Sequence, residues 1–423
     1  MPRATRASRL SGLLASVVLL AVAAVGCGDS DSGSSSSGAK GSDSSSAAGA
    51  FPVTLDHKYG STTIKSEPQR IVTVGLTDQD AVLALGKVPV GTTEWLGGYK
   101  GAIGPWAEDK VGGAAAPTVL TDTGTGPQVE KIAALKPDLI LAVYSGLTKA
   151  QYESLSKFAP VVAQPKAYND YGVPWQQQTE EIGKALGKET EAKTLVSGVE
   201  DRFAAARKAN PAFAGATAVM ATPYEGTFVY GSQDTRSRIL SGLGFSLPKD
   251  LDKVIGDTFG ANISKERFDL LDQDVDVWIV PDLTTAVTKL HSDKIYSDLN
   301  VVKQGREVFV QESGDYGNAV SLSTVLSLPY VIDRLVPQLA AAVDGRTPAS
   351  PRVTAGPHHR AAPPGRTAGL RPPRPRRGSW AAGRSSGSRC GPGTPGGRPG
   401  RARRSSRPGR PRSRATGCTG PRR

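Results

Sequence analysis

The sequence predicts an α/β fold made of two α/β lobes joined by a single long helix. Three observations carry this. From residue 70 onward short apolar runs alternate with amphipathic segments, the pattern of strands and helices packed in layers. Two sets of such strands occur, and the longest helical pattern of the chain lies between them. Its 423 residues also exceed the roughly 100 to 200 of one domain, leaving room for two cores.

Taken in order, residues 70–74 and 139–143 read as strands of the first lobe, and residues 78–85, 128–135 and 151–158 as its helices. Pro137 ends the second of these helices before its strand. Residues 190–209 form the long helix, because Ala192, Leu195, Val196, Val199, Phe203 and Ala206 recur at threes and fours. It would be about 30 Å long, and Asn210 and Pro211 stop it. Strands at 218–221, 228–230 and 275–280, a helix at 237–243 and a last helix at 325–343 make the second lobe. Trp278, inside an apolar strand, reads as core. On periodicity alone, one larger α/β domain with the long helix packed on it stays open.

The ends differ in character. Arg3, Arg6 and Arg9 precede an apolar run at 10–25, the layout of a secretory signal and too short to span a bilayer comfortably. The run closes on A-V-G-C at 24–27, which resembles a lipobox with Cys27 as the lipidated residue, although the usual leucine is Ala24. Ordinary cleavage near residues 21–23 is the alternative. Cys27 is the only cysteine before residue 390, so the folded body has neither a disulfide nor a thiolate metal site. Residues 28–50 are nearly all Ser, Gly, Asp and Ala, a flexible tether reaching roughly 25 Å.

The net charge of +13 sits in the tail: residues 352–423 hold 19 arginines and no acid, so the remainder is −6. A nucleic-acid footprint belongs on a folded face, which this distribution excludes. The tail lacks Asp, Glu, Lys, Asn, Gln, Ile, Phe, Tyr and Met and reads as out-of-frame translation of GC-rich DNA, with an authentic disordered basic tail as the alternative. The organisation is a signal at 1–26, a tether at 27–50, lobes at 51–188 and 211–345, a linker helix at 189–210 and the tail at 346–423.

Seven blocks carry a family resemblance: PQRIV (68–72), VEKIAALKPDLIL (129–141), FAPVV (158–162), DTRSRILSGLGF (234–245), ISKERFDLL (263–271), VVKQGREVFV (301–310) and SLPYVIDRLVPQL (327–339). In this order, behind a lipoprotein signal, they resemble the iron-siderophore and vitamin B12 substrate-binding lipoproteins of ABC importers. TEWLGG (93–98) and YNDYGVPWQQQT (168–179) resemble the actinobacterial iron-siderophore branch. The resemblance implies a receptor of the helical-backbone type, with the ligand in the cleft between lobes and only small opening motions. It implies no enzyme activity and no cofactor, a ferric siderophore as transported ligand, and a monomer anchored to the outer face of the cell membrane through Cys27. Binding of haem or cobalamin with the same delivery role is the alternative.

A siderophore already wraps its ferric ion in oxygen, so the receptor recognises a bulky chelate and builds no metal site. His57 and His291, the only histidines of the body, lack metal-ligand spacing. Arginine suits chelate oxygens because its planar fork donates paired hydrogen bonds. Arg236 and Arg238 fall where the family places cleft arginines, the plainer reading being an exposed helix start. Aromatic rings offer flat contact area; Trp95, Tyr144 and Tyr230 are the preferred candidates, ahead of Tyr99, Trp106, Trp175, Tyr224 and Tyr316. Rival classes fare poorly: no G-x-S-x-G serves a siderophore-processing enzyme, and residues 183–190 miss the P-loop spacing. By the resemblance, Glu130 and Glu266 dock the two lobes on the permease; the plainer reading is that each stabilises a helix start.

Overall fold

The computed structural model describes residues 50–121 and 126–345. The signal, Cys27, the tether before residue 50 and the tail after residue 345 lie outside the described residues. The chain begins with an antiparallel hairpin of β1 (Val53–His57) and β2 (Gly60–Ile64), in which Val53 faces Ile64 and His57 faces Gly60. Their residues alternate between solvent and interior, as expected of strands with one wet face.

The first sheet joins β3 (Ile71–Thr73), β4 (Gly91–Glu94), β5 (Thr118–Thr121), β6 (Leu139–Ala142) and β7 (Val161–Ala163) in the all-parallel order β5-β4-β3-β6-β7. Strands β3, β6 and β7 are buried along their whole length, which is why β3 and β6 read as continuous apolar runs. Between and after the strands come α1 (Asp78–Ala84), α2 (Val129–Ala134), α3 (Lys149–Leu155) and α4 (Trp175–Ala185). The predicted helix at 151–158 starts earlier, at Lys149. Thr148 and Gln151 form a capping box there, and the helix ends at Leu155.

Helix α5 (Glu189–Ala209) then crosses to the second sheet. Ala192 belongs to the core around Ile182 and Leu186, whereas Val199, Phe203 and Ala206 belong to the core around Ile239 and Leu240; Leu195 packs against both. One continuous helix is thus embedded in two cores, so a change of angle between the lobes must disturb packed side chains.

The second sheet has the order β10-β9-β8-β11-β12, with β8 (Ala218–Thr222), β9 (Thr227–Tyr230), β10 (Gly260–Ile263), β11 (Val275–Val280) and β12 (Glu307–Gln311). Strands β8, β11 and β12 are parallel, and β9 runs antiparallel to both its neighbours. Its helices are α6 (Thr235–Gly242), α7 (Leu251–Ile255), α8 (Leu283–Ser292), α9 (Lys294–Ser297), α10 (Asn300–Lys303), α11 (Asp315–Leu322) and α12 (Ser327–Val343). The last begins two residues later than the sequence suggests, because a turn after α11 uses Thr324 and Ser327 to bond each other's backbone N–H. Trp278 is fully buried in β11, and its Nε1 donates to the Tyr296 hydroxyl at 2.7 Å.

Candidate functional site

In the first sheet the chain leaves β3 toward β4 on one side, while β6 lies on the other. The carboxyl ends of β3 and β6 therefore frame a crevice, the place where open parallel sheets hold ligands. Asp78, fully buried at the start of α1, fixes this edge: its carboxylate accepts Val143 N–H at 2.8 Å, Tyr144 N–H at 3.0 Å and Gln178 Nε2 at 2.7 Å. Burial raises its pKa. Gly75 makes room for it, since a Cβ there would lie 2.1 Å from Asp78 Oδ2.

The crevice is lined by aromatic rings. Tyr144 follows β6 and is 2% exposed, and burial pushes its hydroxyl pKa up to about 12, so it stays a donor. Trp95 follows β4 and is half-buried. Tyr171 meets Tyr144 edge to face at 6.0 Å and has a left-handed φ of 59°, a strained backbone for a tyrosine. Gly146 lets its ring in: a Cβ there would come within 2.9 Å of it.

The second lobe supplies the charge. Asp234 caps α6 by accepting the Arg236 N–H at 2.8 Å. The same carboxylate grips the Arg236 guanidinium from the side, with Nε to Oδ1 and Nη2 to Oδ2 both 2.7 Å. The guanidinium carbon lies 3.9 Å from the Tyr230 ring centre and 6.0 Å from that of Trp95. Burial opposes the arginine's charge, but Asp234 outweighs it and holds the pKa above the ordinary value. Phe259, before β10, extends the aromatic wall, with ring centres 6.5 Å from Tyr171 and 5.8 Å from Phe228.

Together Leu76, Trp95, Tyr144, Tyr171, Asp234, Arg236 and Phe259 line a cavity of about 220 Å³ that opens to solvent and to which both lobes contribute. Larger hollows occur among the described residues, including one of about 260 Å³ beside Glu67 and Asp138. Another of about 520 Å³ lies among α4, α5 and α6, and one of about 700 Å³ lies wholly in the second lobe beside Phe268 and Tyr296. Size does not decide between them. The smaller cavity combines a buried hydrogen-bonding arginine, a protonated phenol and aromatic walls, the composition of a ligand site.

Of the residues singled out in the sequence, Trp95, Tyr144, Tyr230 and Arg236 come together here. Arg236 is 8% exposed rather than solvated at a helix start. Arg238 reaches elsewhere: its Nη1 donates to the Gly172 carbonyl at 2.8 Å, tying α6 to the first lobe, and burial lowers its pKa. Tyr99 also holds the lobes, donating to Asp315 and accepting from Asn318, each at 2.9 Å, whereas Trp106 donates to Asp80 within the first lobe at 2.8 Å and meets the second lobe through its ring, 6.3 Å from that of Tyr330. Trp175 is core, Tyr316 accepts from Gln338, and Tyr224 is exposed. Glu130 is exposed in the first turn of α2. Glu266 is exposed in the first turn of a 3₁₀ helix, Lys265–Leu270, where the Ser264 hydroxyl and its own N–H hold its carboxyl below the usual range. His57 is buried against Tyr152 and Thr62, and His291 pairs with Glu307. Among the described residues no group of three His, Cys, Asp or Glu is arranged to hold a metal ion. Sequence reasoning missed Tyr171, Asp234 and Phe259. Only Asp234 carried a signal, as an acid placed to cap the helix that starts at Thr235.

The profile of the family described as periplasmic binding protein matches residues 71–312. The Fe(3+) dicitrate-binding periplasmic protein FecB of Escherichia coli (strain K12) is 30% identical over 206 residues, which cover 47% of this chain and 63% of FecB. The match thus spans less than two thirds of that relative. The periplasmic solute binding protein from Mycobacterium smegmatis superimposes with a TM-score of 0.60 at 34% identity, covering 69% of this chain and 98% of that structure. PiaA from Streptococcus pneumoniae TIGR4, in complex with ferrichrome, superimposes with a TM-score of 0.61 at 28% identity over 70% of this chain and 99% of PiaA.

Proposed function

This chain belongs to the periplasmic binding protein family, and on that premise we propose that it captures a ferric siderophore between its lobes and delivers it to the permease of an ABC importer. One observation carries the reading: Trp95 and Tyr144 from the first lobe and Arg236 from the second meet around one cavity. A ferric siderophore presents ligand oxygens on a bulky, partly apolar shell. The Tyr144 hydroxyl and the Arg236 Nη1 donate to such oxygens, and the aromatic walls cover the shell. The iron arrives fully wrapped, so the site needs only to recognise the chelate. The embedding of α5 in both cores supports small opening motions rather than wide closure.

In this reading the protein binds and delivers without catalysis. It works outside the cytoplasm as a monomer held at the membrane by lipid on Cys27, and Glu130 and Glu266 meet cationic residues of the permease. Relatives described as substrate-binding lipoproteins support that location. Tryptophan fluorescence tests the binding claim, because Trp95 lines the cavity. The expected result is saturable quenching by a ferric siderophore with a dissociation constant of roughly micromolar or tighter. Quenching by haem or cobalamin, with none by any ferric chelate, would overturn it.

A further inference from the structure

We infer that the cavity selects an electroneutral ferric chelate of the trihydroxamate class over polyanionic catecholate or citrate chelates. The inference rests on the siderophore reading and deepens it. The lining holds one cation, Arg236, and one anion, Asp234, and the two neutralise each other through bonds of 2.7 Å at Nε and Nη2. The carboxylate is fully buried, so solvent does not replace it as the partner. What Arg236 has left for a ligand is direction rather than charge. Its Nη1 edge, 3.4 Å from the Tyr230 hydroxyl, still carries N–H donors. Tyr144 adds a neutral donor, and Trp95, Tyr171 and Phe259 add apolar wall. Arg238, the other cation of α6, lies outside this lining, its Nη1 donating to the Gly172 carbonyl.

A chelate that enters such a cavity leaves water and meets no net counter-charge among the residues that line it. Three singly charged hydroxamates balance a ferric ion, so their complex has only hydrogen-bond acceptors to satisfy, and the two donors suit them. A ferric tricatecholate is a trianion and ferric dicitrate is also anionic. Each would bring uncompensated charge against aromatic walls, which is strongly disfavoured unless a partner charge waits there.

The test titrates the full-length protein with ferrichrome, a neutral trihydroxamate, with ferric enterobactin, a tricatecholate, and with ferric dicitrate, reading tryptophan fluorescence at low and high salt. Ferrichrome should bind about tenfold or more tighter than either anion, with an affinity nearly independent of salt. Asp234→Asn keeps the helix cap but frees the arginine's charge, and should move the ranking about tenfold toward the anions. Tighter binding of an anionic chelate by the unaltered protein overturns the charge inference while leaving the siderophore reading intact. An unchanged ranking in folded Asp234→Asn overturns it as well, and so does binding of none of the three chelates, the siderophore reading falling with it where haem or cobalamin quenches instead.

Discussion

Asp80 and Thr324 join the two lobes: the Thr324 hydroxyl donates to Oδ2 of Asp80, the same oxygen that receives Trp106 Nε1 at 2.8 Å. The carboxylate sits on α1 of the first lobe, and the threonine on the turn between α11 and α12 of the second. Asp80 is 1% exposed, and burial raises its pKa to about 6 from the ordinary 3.8. The folded protein therefore keeps a proton that the unfolded chain gives up, so stability from this group is lost as pH rises from about 4 through about 6. The difference is on the order of 3 kcal/mol. Asp80→Asn should remove this dependence, gaining on the parent between pH 4 and pH 7 in urea denaturation. Parallel stability curves for the two proteins would contradict the assignment.

Arg236→Ala leaves Asp234 buried and without its main partner. Loss of one member of a buried pair typically costs about 3 to 5 kcal/mol, and equilibrium denaturation should show a loss of that size. A change below about 1 kcal/mol, the level of exposed pairs, would mean that the pair is hydrated in solution.

Gly75→Ala forces a methyl into the Asp78 carboxylate. Overpacking of this kind costs about 1 to 3 kcal/mol. Because Asp78 holds the Tyr144 backbone, ligand quenching should weaken with stability. Full stability and full affinity would show that the edge of the crevice yields freely.

How much of this was legible follows from what each residue's neighbours are. Strands β6 and β11 were readable because both faces are buried and every position but Asp276 is apolar. Strand β4 was not, because it buries Thr92 and Thr93 by donating their hydroxyls to the carbonyls of Gly101 and Thr73 at 2.6 and 3.2 Å, and such pairing leaves no hydrophobic pattern. Helix α4 was hidden by its glutamines, of which Gln178 is buried against Thr77 and Asp78. In the site, the position of Arg236 came from the family resemblance. Its neutralisation by Asp234 depends on rotamers at a helix cap, which spacing does not encode. Arg238, two residues on, points about 200° around the helix and serves a different contact. The pairing of Tyr171 with Phe259 joins residues from different lobes, beyond the reach of any local pattern.

Delivery is testable apart from capture. Glu130→Ala combined with Glu266→Ala should leave chelate affinity within a factor of about three and abolish uptake and permease-stimulated ATP hydrolysis. A charge pair lost from a docked interface costs about 2 to 5 kcal/mol, against about 0.3 to 1 kcal/mol if each carboxylate only steadies its own helix. Normal uptake by the double variant would remove the docking role.

The most direct test of ligand capture is the anomalous scattering of iron in crystals of the protein grown with ferrichrome. The peak should lie between the lobes, with the chelate against Trp95, Tyr144 and the free edge of Arg236. A peak in the hollow beside Phe268 and Tyr296, or in the one among α4, α5 and α6, would contradict the account.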